Sequence, residues 1–256
     1  MRVLVTRPRK DADEFAAALQ DIGAEAVFFP TIAIRPIADT TLLDRALSRL
    51  NCYDWLVLTS ANAVDVVLER LADLDIHALP QNIRVAAVGP KTAARLIAAN
   101  IQPEFVPEKY VAEAVVPGLG DLCGRWVLLP MADIAHDTLP QAIQAADGIA
   151  HVITAYHTVT EIEDIDIESL FTPGIDVITF TSGSSVLGFL SLLKGTSLDA
   201  LSLPGEPLIG CIGPKTARVA QEAGLRVGVI AKTHTIQGLV EAIAAKLFGD
   251  YSHVKN

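Results

Sequence analysis

No apolar stretch in this 256-residue chain reaches the eighteen or so residues that a membrane-spanning helix needs. The amino terminus, Met1-Arg-Val-Leu-Val-Thr-Arg-Pro8, reads as a strand followed by a basic turn, without the apolar core of a secretory leader. A soluble cytoplasmic protein is expected, with no membrane partner. Basic charge is also in short supply: 20 Lys and Arg stand against 30 Asp and Glu, a net charge of −10. That balance argues against nucleic acid as a partner, because a basic face supplies most of that affinity. It does not exclude a small polyanion, whose binding depends on local donors. The three cysteines, Cys52, Cys123 and Cys211, are odd in number and widely spaced. Their apolar surroundings read as buried thiols in a reducing compartment, neither disulfides nor a zinc site.

The usual marks of cofactor chemistry are missing as well. There is no G-x-G-x-x-G for a dinucleotide, no Walker A sequence for a triphosphate and no G-x-S-x-G elbow for a serine nucleophile. The six histidines include no i,i+4 pair and have no cysteine nearby, so neither a metal nor a cofactor is expected. Asp133 and Asp137 read as the solvated start of a helix, where acids are favoured.

What the chain does contain is a repeat. Gly-Pro-Lys-Thr-Ala occurs at Gly89–Ala93 and again at Gly213–Ala217. Upstream of each lies a second matched pair, Asp54-Trp-Leu-Val-Leu-Thr-Ser60 and Asp176-Val-Ile-Thr-Phe-Thr-Ser182. The two motifs recur in the same order, offset by 122 and 124 residues, which marks a duplicated α/β unit.

Ten short β-branched runs have the look of parallel strands buried on both faces: Val3–Thr6, Ala26–Phe29, Trp55–Thr59, Val85–Val88, Glu104–Val106, Trp126–Leu129, His151–Thr154, Val177–Thr181, Leu208–Ile212 and Val227–Ile230. Helical patterns alternate with most of them, which predicts an α/β fold of two similar doubly wound, flavodoxin-like parallel-sheet domains. Two further runs, Thr31–Pro36 and Tyr156–Val159, interrupt the alternation. Paired as an antiparallel ladder, they would join the domains through hinge segments 35–40 and 157–164. One domain would span 38–157, and the other would combine 1–35 with 161–256. Half the residues are apolar, 51%, enough for both cores.

The repeated motifs place small and hydroxylated residues at strand-to-helix turns. A helix start offers unpartnered N–H groups and the positive end of the macrodipole, and in parallel sheets such turns line the ligand crevice. The candidate anion-binding residues are Thr6 and Arg7, then Ser60, Ala61 and Asn62, then Gly89, Lys91 and Thr92. The second copy contributes Thr181, Ser182, Gly183 and Ser184, followed by Gly213, Lys215 and Thr216. Arg9 and Ser185 stand beside these sets. Lys91 and Lys215 lie on first helical turns, where a cation opposes the dipole unless an anion offsets it. Tyr156 is the candidate proton donor, a phenol protonated at neutral pH.

These residues resemble those of the uroporphyrinogen-III synthase (HemD-like) family over essentially the whole chain. The resemblance rests on Val3-Leu-Val-Thr-Arg-Pro8, Leu58–Val64, Ala87–Ala93, Ala155-Tyr-His-Thr158, Phe180–Val186 and Ile212–Ala217, in the family's order. It implies two domains joined by a two-stranded ladder and a linear hydroxymethylbilane bearing eight carboxylates, held in an interdomain cleft mainly by backbone N–H groups. It further implies loss of water and ring closure with inversion of ring D, Tyr156 as proton donor, no cofactor, a monomer, and a possible transient hand-over from hydroxymethylbilane synthase. Many family members carry arginines in the loop after the sixth strand. Here the loop reads Pro130-Met-Ala-Asp-Ile-Ala-His136, without arginine. The alternative is a non-catalytic two-domain polyanion receptor or sensor using the same cleft, which would need no acid at position 156. A nucleotide-dependent transferase is disfavoured by the missing phosphate loops.

Overall fold

A computed structural model describes residues 1–7, 12–108, 112–135, 137–160 and 166–249. Arg9, His136 and the hinge residues 161–164 lie outside the described residues. Ten strands are present among those described: β1 (Arg2–Val5), β2 (Glu25–Phe28), β3 (Ile32–Pro36), β4 (Trp55–Leu58), β5 (Arg84–Ala87), β6 (Trp126–Ala132), β7 (Ile149–Thr160), β8 (Val177–Phe180), β9 (Leu208–Cys211) and β10 (Val227–Ile230). The α-helices are α1 (Ala12–Gln20), α2 (Thr41–Leu47), α3 (Ala61–Asp73), α4 (Pro90–Ala98), α5 (Ala112–Val115), α6 (Thr138–Ala145), α7 (Ile167–Phe171), α8 (Gly183–Leu193), α9 (Pro214–Glu222) and α10 (Ile236–Phe248). None is long and apolar enough to cross a membrane.

The chain divides into two compact units, Met1–Ala33 with Val159–Asn256, and Ile34–Thr158. The first sheet runs β10-β9-β8-β1-β2, and all four of its pairings are parallel. The second runs β3-β7-β6-β4-β5, parallel across β7-β6-β4-β5. The strands read from the repeat pair alike, β4 with β5 and β8 with β9, both in parallel, although β5 is an edge strand and β9 is not. In each unit the chain leaves one central strand toward one edge and resumes beside it toward the other edge. This puts a switch point between β8 and β1 in one sheet and between β4 and β6 in the other.

Helices cover both faces because these strands are apolar on both sides; β4 and β8 are buried at every residue. In the second unit one core holds Leu56, Leu58 and the α3 face Val64, Val67 and Leu71, and the opposite core holds Trp55, Val57 and Leu129. Phe180 with Phe189, and Phe15 with Leu239, fill the two cores of the first unit. Each fully buried Leu or Phe contributes about 1.5–3 kcal/mol. Gly188 is required on α8 because a Cβ there would collide with the Thr31 carbonyl, the backbone against which the helix packs.

Several sequence expectations need correction. Glu104–Val106 is no strand: only Phe105 bridges β5, at Ala86. Pro103 and Pro107 flank it, and neither can donate to a ladder. His151–Thr154 and Tyr156–Val159 belong to one continuous strand, β7, which lies beside β3. The helix α2 escaped the pattern because it buries only Leu43, Ala46 and Leu47. It is tied to α3 by Arg70, whose guanidinium forks onto both Asp44 oxygens at 2.8 Å. Of the thiols only Cys211 is buried, and burial pushes it up to about 12; Cys52 and Cys123 are exposed.

Candidate active site

Because the paired strands are parallel, their carboxyl ends within each unit share one edge, and the switch point opens a crevice there. In the second unit that edge carries the starts of α3 and α4. Ser60 caps α3: its backbone is extended, at φ −149° and ψ 155°, and its Oγ accepts the Ala63 N–H at 3.1 Å. The same Oγ lies 2.9 Å from the hydroxyl of Tyr156. Tyr156 is only 6% exposed, and burial pushes its phenol above the ordinary tyrosine range. Hydrogen bonds from Ser60 and Asn62 pull the other way, and the charge of Asp133 pushes further up. The result is a neutral phenol with a proton to donate.

A break in register aims that phenol. β6 and β7 pair residue by residue from Trp126 with Ile149 to Met131 with Thr154, but the next pair is Ala132 with Tyr156. Ala155 is therefore an extra residue in β7. Ile153 is buried and Thr154 exposed, so strict alternation would put Tyr156 on the Thr154 face; instead Ala155 and Tyr156 are both buried. The bulge turns Tyr156 onto the face of α3 and Ser60.

Asp133 lies in the turn after β6, not on a helix; α6 begins at Thr138 behind Asp137, which makes no side-chain cap. Its Oδ2 accepts from His157 Nδ1 at 2.8 Å and its Oδ1 from the Thr158 N–H at 3.0 Å. Burial opposes its charge, but the Thr158 N–H and the His157 ring outweigh that and hold the carboxyl below its ordinary value. Sequence reasoning missed this cluster. The only signal was that Asp133 follows a strand at a switch point.

The first unit builds its edge with hydroxyls turned inward. Ser182 caps α8 in a reciprocal box: its Oγ accepts the Ser185 N–H at 3.1 Å, and its own N–H reaches Ser185 Oγ at 3.3 Å. Thr31, fully buried, donates to the Ser185 carbonyl at 2.9 Å. Thr6 is 0% exposed and donates to the Thr179 carbonyl at 2.8 Å. Its hydroxyl thereby ties the end of β1 to β8.

Thr92 and Thr216, at 4% and 5% exposure, likewise turn most of their side chains inward from α4 and α9. Ser185 is buried in the cap. Lys91 and Lys215 are exposed on their first turns, and Arg7 is half-buried after β1. Gly89 and Gly213 cap α4 and α9 with φ 165° and −176°, extended backbone that any residue adopts. A Cβ on Gly213 would press the His234 ring at 3.1 Å, and one on Gly183 the Val219 side chain at 3.0 Å, so close packing accounts for both glycines. The fold thus gathers Ser60, Ala61, Asn62, Gly89, Lys91, Thr92 and Tyr156 on one sheet edge. It gathers Thr6, Arg7, Thr181, Ser182, Gly183, Ser184, Gly213, Lys215 and Thr216 on the other.

A family model described as uroporphyrinogen-III synthase HemD matches residues 13–241. A uroporphyrinogen-III synthase of Synechococcus elongatus is 31% identical over 246 residues, covering 94% of this chain and 93% of its own. A putative uroporphyrinogen-III synthase of Methanocaldococcus jannaschii is 27% identical over 247 residues, covering 95% and 98%. Among solved structures, a mutant uroporphyrinogen III synthase of Thermus thermophilus superposes with a TM-score of 0.69 at 18% identity, over 96% of this chain and 98% of that one. The Helicobacter pylori uroporphyrinogen-III synthetase gives 0.66 at 19%, over 96% and 99%. At such identities the structural likeness speaks for the fold alone.

Proposed function

The chain belongs to the uroporphyrinogen-III synthase family, and on that premise we propose that Tyr156 is its proton donor and the two helix-start crevices its carboxylate clamps. The activity is that of a cofactor-independent cyclising lyase of tetrapyrrole biosynthesis, which closes linear hydroxymethylbilane to uroporphyrinogen III. Water is lost and ring D is inverted.

The observation that carries the assignment is the Ser60–Tyr156 hydrogen bond at the carboxyl end of β4. Ser60 Oγ is already engaged as acceptor by the Ala63 N–H. When its own proton goes to the tyrosine oxygen, the phenolic O–H is left to point at a bound hydroxyl. Burial and Asp133 disfavour the phenolate, so Tyr156 assists departure by hydrogen bonding more than by complete ionisation. The N–H groups at the starts of α3 and α8 suit carboxylates, as helix N-termini do, with Lys91 and Lys215 exposed beside the neighbouring starts. This explains how a chain of net charge −10 holds a polyanion.

The substrate closes unaided to the symmetric isomer, so the principal task is to present the substituted carbon of ring D for attack. The reading extends to a cytoplasmic monomer that receives hydroxymethylbilane by transient hand-over from its synthase. In the test, purified protein free of metal and nucleotide meets hydroxymethylbilane generated in the same vessel, and the oxidised product is resolved into isomers. The type III isomer should dominate; product that stays type I at high protein concentration overturns the reading.

A further inference from the structure

We infer that Asp133 is a positioning residue for Tyr156: it holds the register shift at Ala155 that turns the tyrosine toward Ser60. The inference rests on the proton-donor reading of Tyr156.

A one-residue slip in a strand sends every later side chain to the opposite face. Beyond Ala155 the β6 ladder has little left to restrain such a slip, because β6 ends at Ala132. Asp133 takes over where the strand stops. Its N–H donates to the Tyr156 carbonyl at 3.1 Å. Its carboxylate then accepts from the Thr158 N–H at 3.0 Å and from His157 Nδ1 at 2.8 Å. Three consecutive residues of the shifted strand are therefore fixed by one aspartate, through one backbone and two side-chain bonds. The carboxylate oxygen on Thr158 takes the place of a further ladder carbonyl. Burial works against the Asp133 charge, and the N–H groups of Thr158 and Ile134 with the His157 ring offset it; what positions the strand is an acceptor oxygen for the Thr158 N–H. Without the carboxylate, Thr158 and His157 lose these bonds and only the backbone N–H of residue 133 holds Tyr156 from the β6 side, which lets the tyrosine move off Ser60.

The experiment is a double-mutant cycle on kcat, with product affinity measured alongside: Asp133→Ala, Tyr156→Phe and the pair. If Asp133 acts through Tyr156, Asp133→Ala lowers kcat by roughly tenfold or more, up to the Tyr156→Phe loss, and adds nothing in the Tyr156→Phe background. Asp133→Asn keeps an oxygen that accepts the Thr158 N–H and should restore kcat to within about threefold of wild type. Equal losses in the two backgrounds would show an aspartate acting independently of the tyrosine and overturn the inference. A crystal structure of Asp133→Ala decides the matter apart from catalysis. Tyr156 should have left Ser60; an intact Ser60–Tyr156 bond overturns the positioning role. Wild-type turnover in Tyr156→Phe would instead sink the proton-donor reading and leave the crystal structure to judge Asp133.

Discussion

Ser60 and Tyr156 join a helix cap to a strand bulge through a single hydrogen bond of 2.9 Å. The cap fixes the serine through the Ala63 N–H, and the bulge fixes the tyrosine. Two unrelated local devices therefore meet on one pair of oxygens, and each can be perturbed separately.

Tyr156→Phe removes the hydroxyl and almost no volume from a buried side chain, so the fold should survive with its thermal midpoint little changed. General acid catalysis contributes about 10²–10⁴-fold in favourable cases. Here the hydroxyl leaves an electron-rich pyrrole easily, and the phenol is held above its ordinary range. The expected loss in kcat is about a hundredfold or less, with affinity for uroporphyrinogen III nearly unchanged, the pattern of an interaction made mainly in the transition state. Steady-state kinetics beside product titration checks both; equal turnover in the two proteins would reduce Tyr156 to packing.

Replacing Ser60 separates cap from catalysis. Ser60→Ala should cost about 1 kcal/mol, the usual loss of an N-cap, whereas Ser60→Gly should cost only a few tenths. The thermal midpoint should fall by about 2–8 °C in the alanine variant and much less in the glycine variant. Both lose the partner of Tyr156, so their turnover should drop by the same factor. Matched midpoints, or turnover that follows stability, would break the proposed division of labour.

Acid stability should report on Asp133. Its folded pKa lies below the unfolded value of 3.8, so its contribution is fully present above that value and disappears as pH falls through the folded one. Urea unfolding of wild type and Asp133→Asn at a series of pH values should show a constant stability difference above about pH 5. The difference should shrink as pH drops toward about 3. Parallel acid limbs in the two proteins would mean that the carboxylate carries no such linkage.

Much of this arrangement is legible in the sequence because it is local. Ser60 and Ser182 announce their helices by residue type alone, and the repeated Gly-Pro-Lys-Thr-Ala marks two equivalent strand-to-helix turns. What the sequence hides depends on distant partners. Asp133 meets His157 across 24 residues, and Arg70 meets Asp44 across 26. The extra residue at Ala155 leaves no trace in a run of β-branched and small residues, since a bulge exists only relative to the strand beside it. The burial of Thr6, Thr92 and Thr216 is hidden for the same reason, since it is set by what packs over each hydroxyl. Glu104–Val106 has a strand's composition, and its prolines show why it stays a single bridge.

The discontinuous path of the chain has a consequence for its synthesis. The second unit is one uninterrupted segment, Ile34–Thr158, complete once that stretch has left the ribosome. The first is not: β1 pairs with β2 at once, but its other edge waits for β8, where Val3 meets Val177. At about 5–20 residues per second that wait lasts on the order of ten seconds. For that interval β1, whose Val3, Leu4 and Val5 end up wholly buried, has an open edge and only the α1 side of its core. The nascent chain therefore finishes its middle before its beginning, with the β8-side edge of β1 unpaired in the meantime.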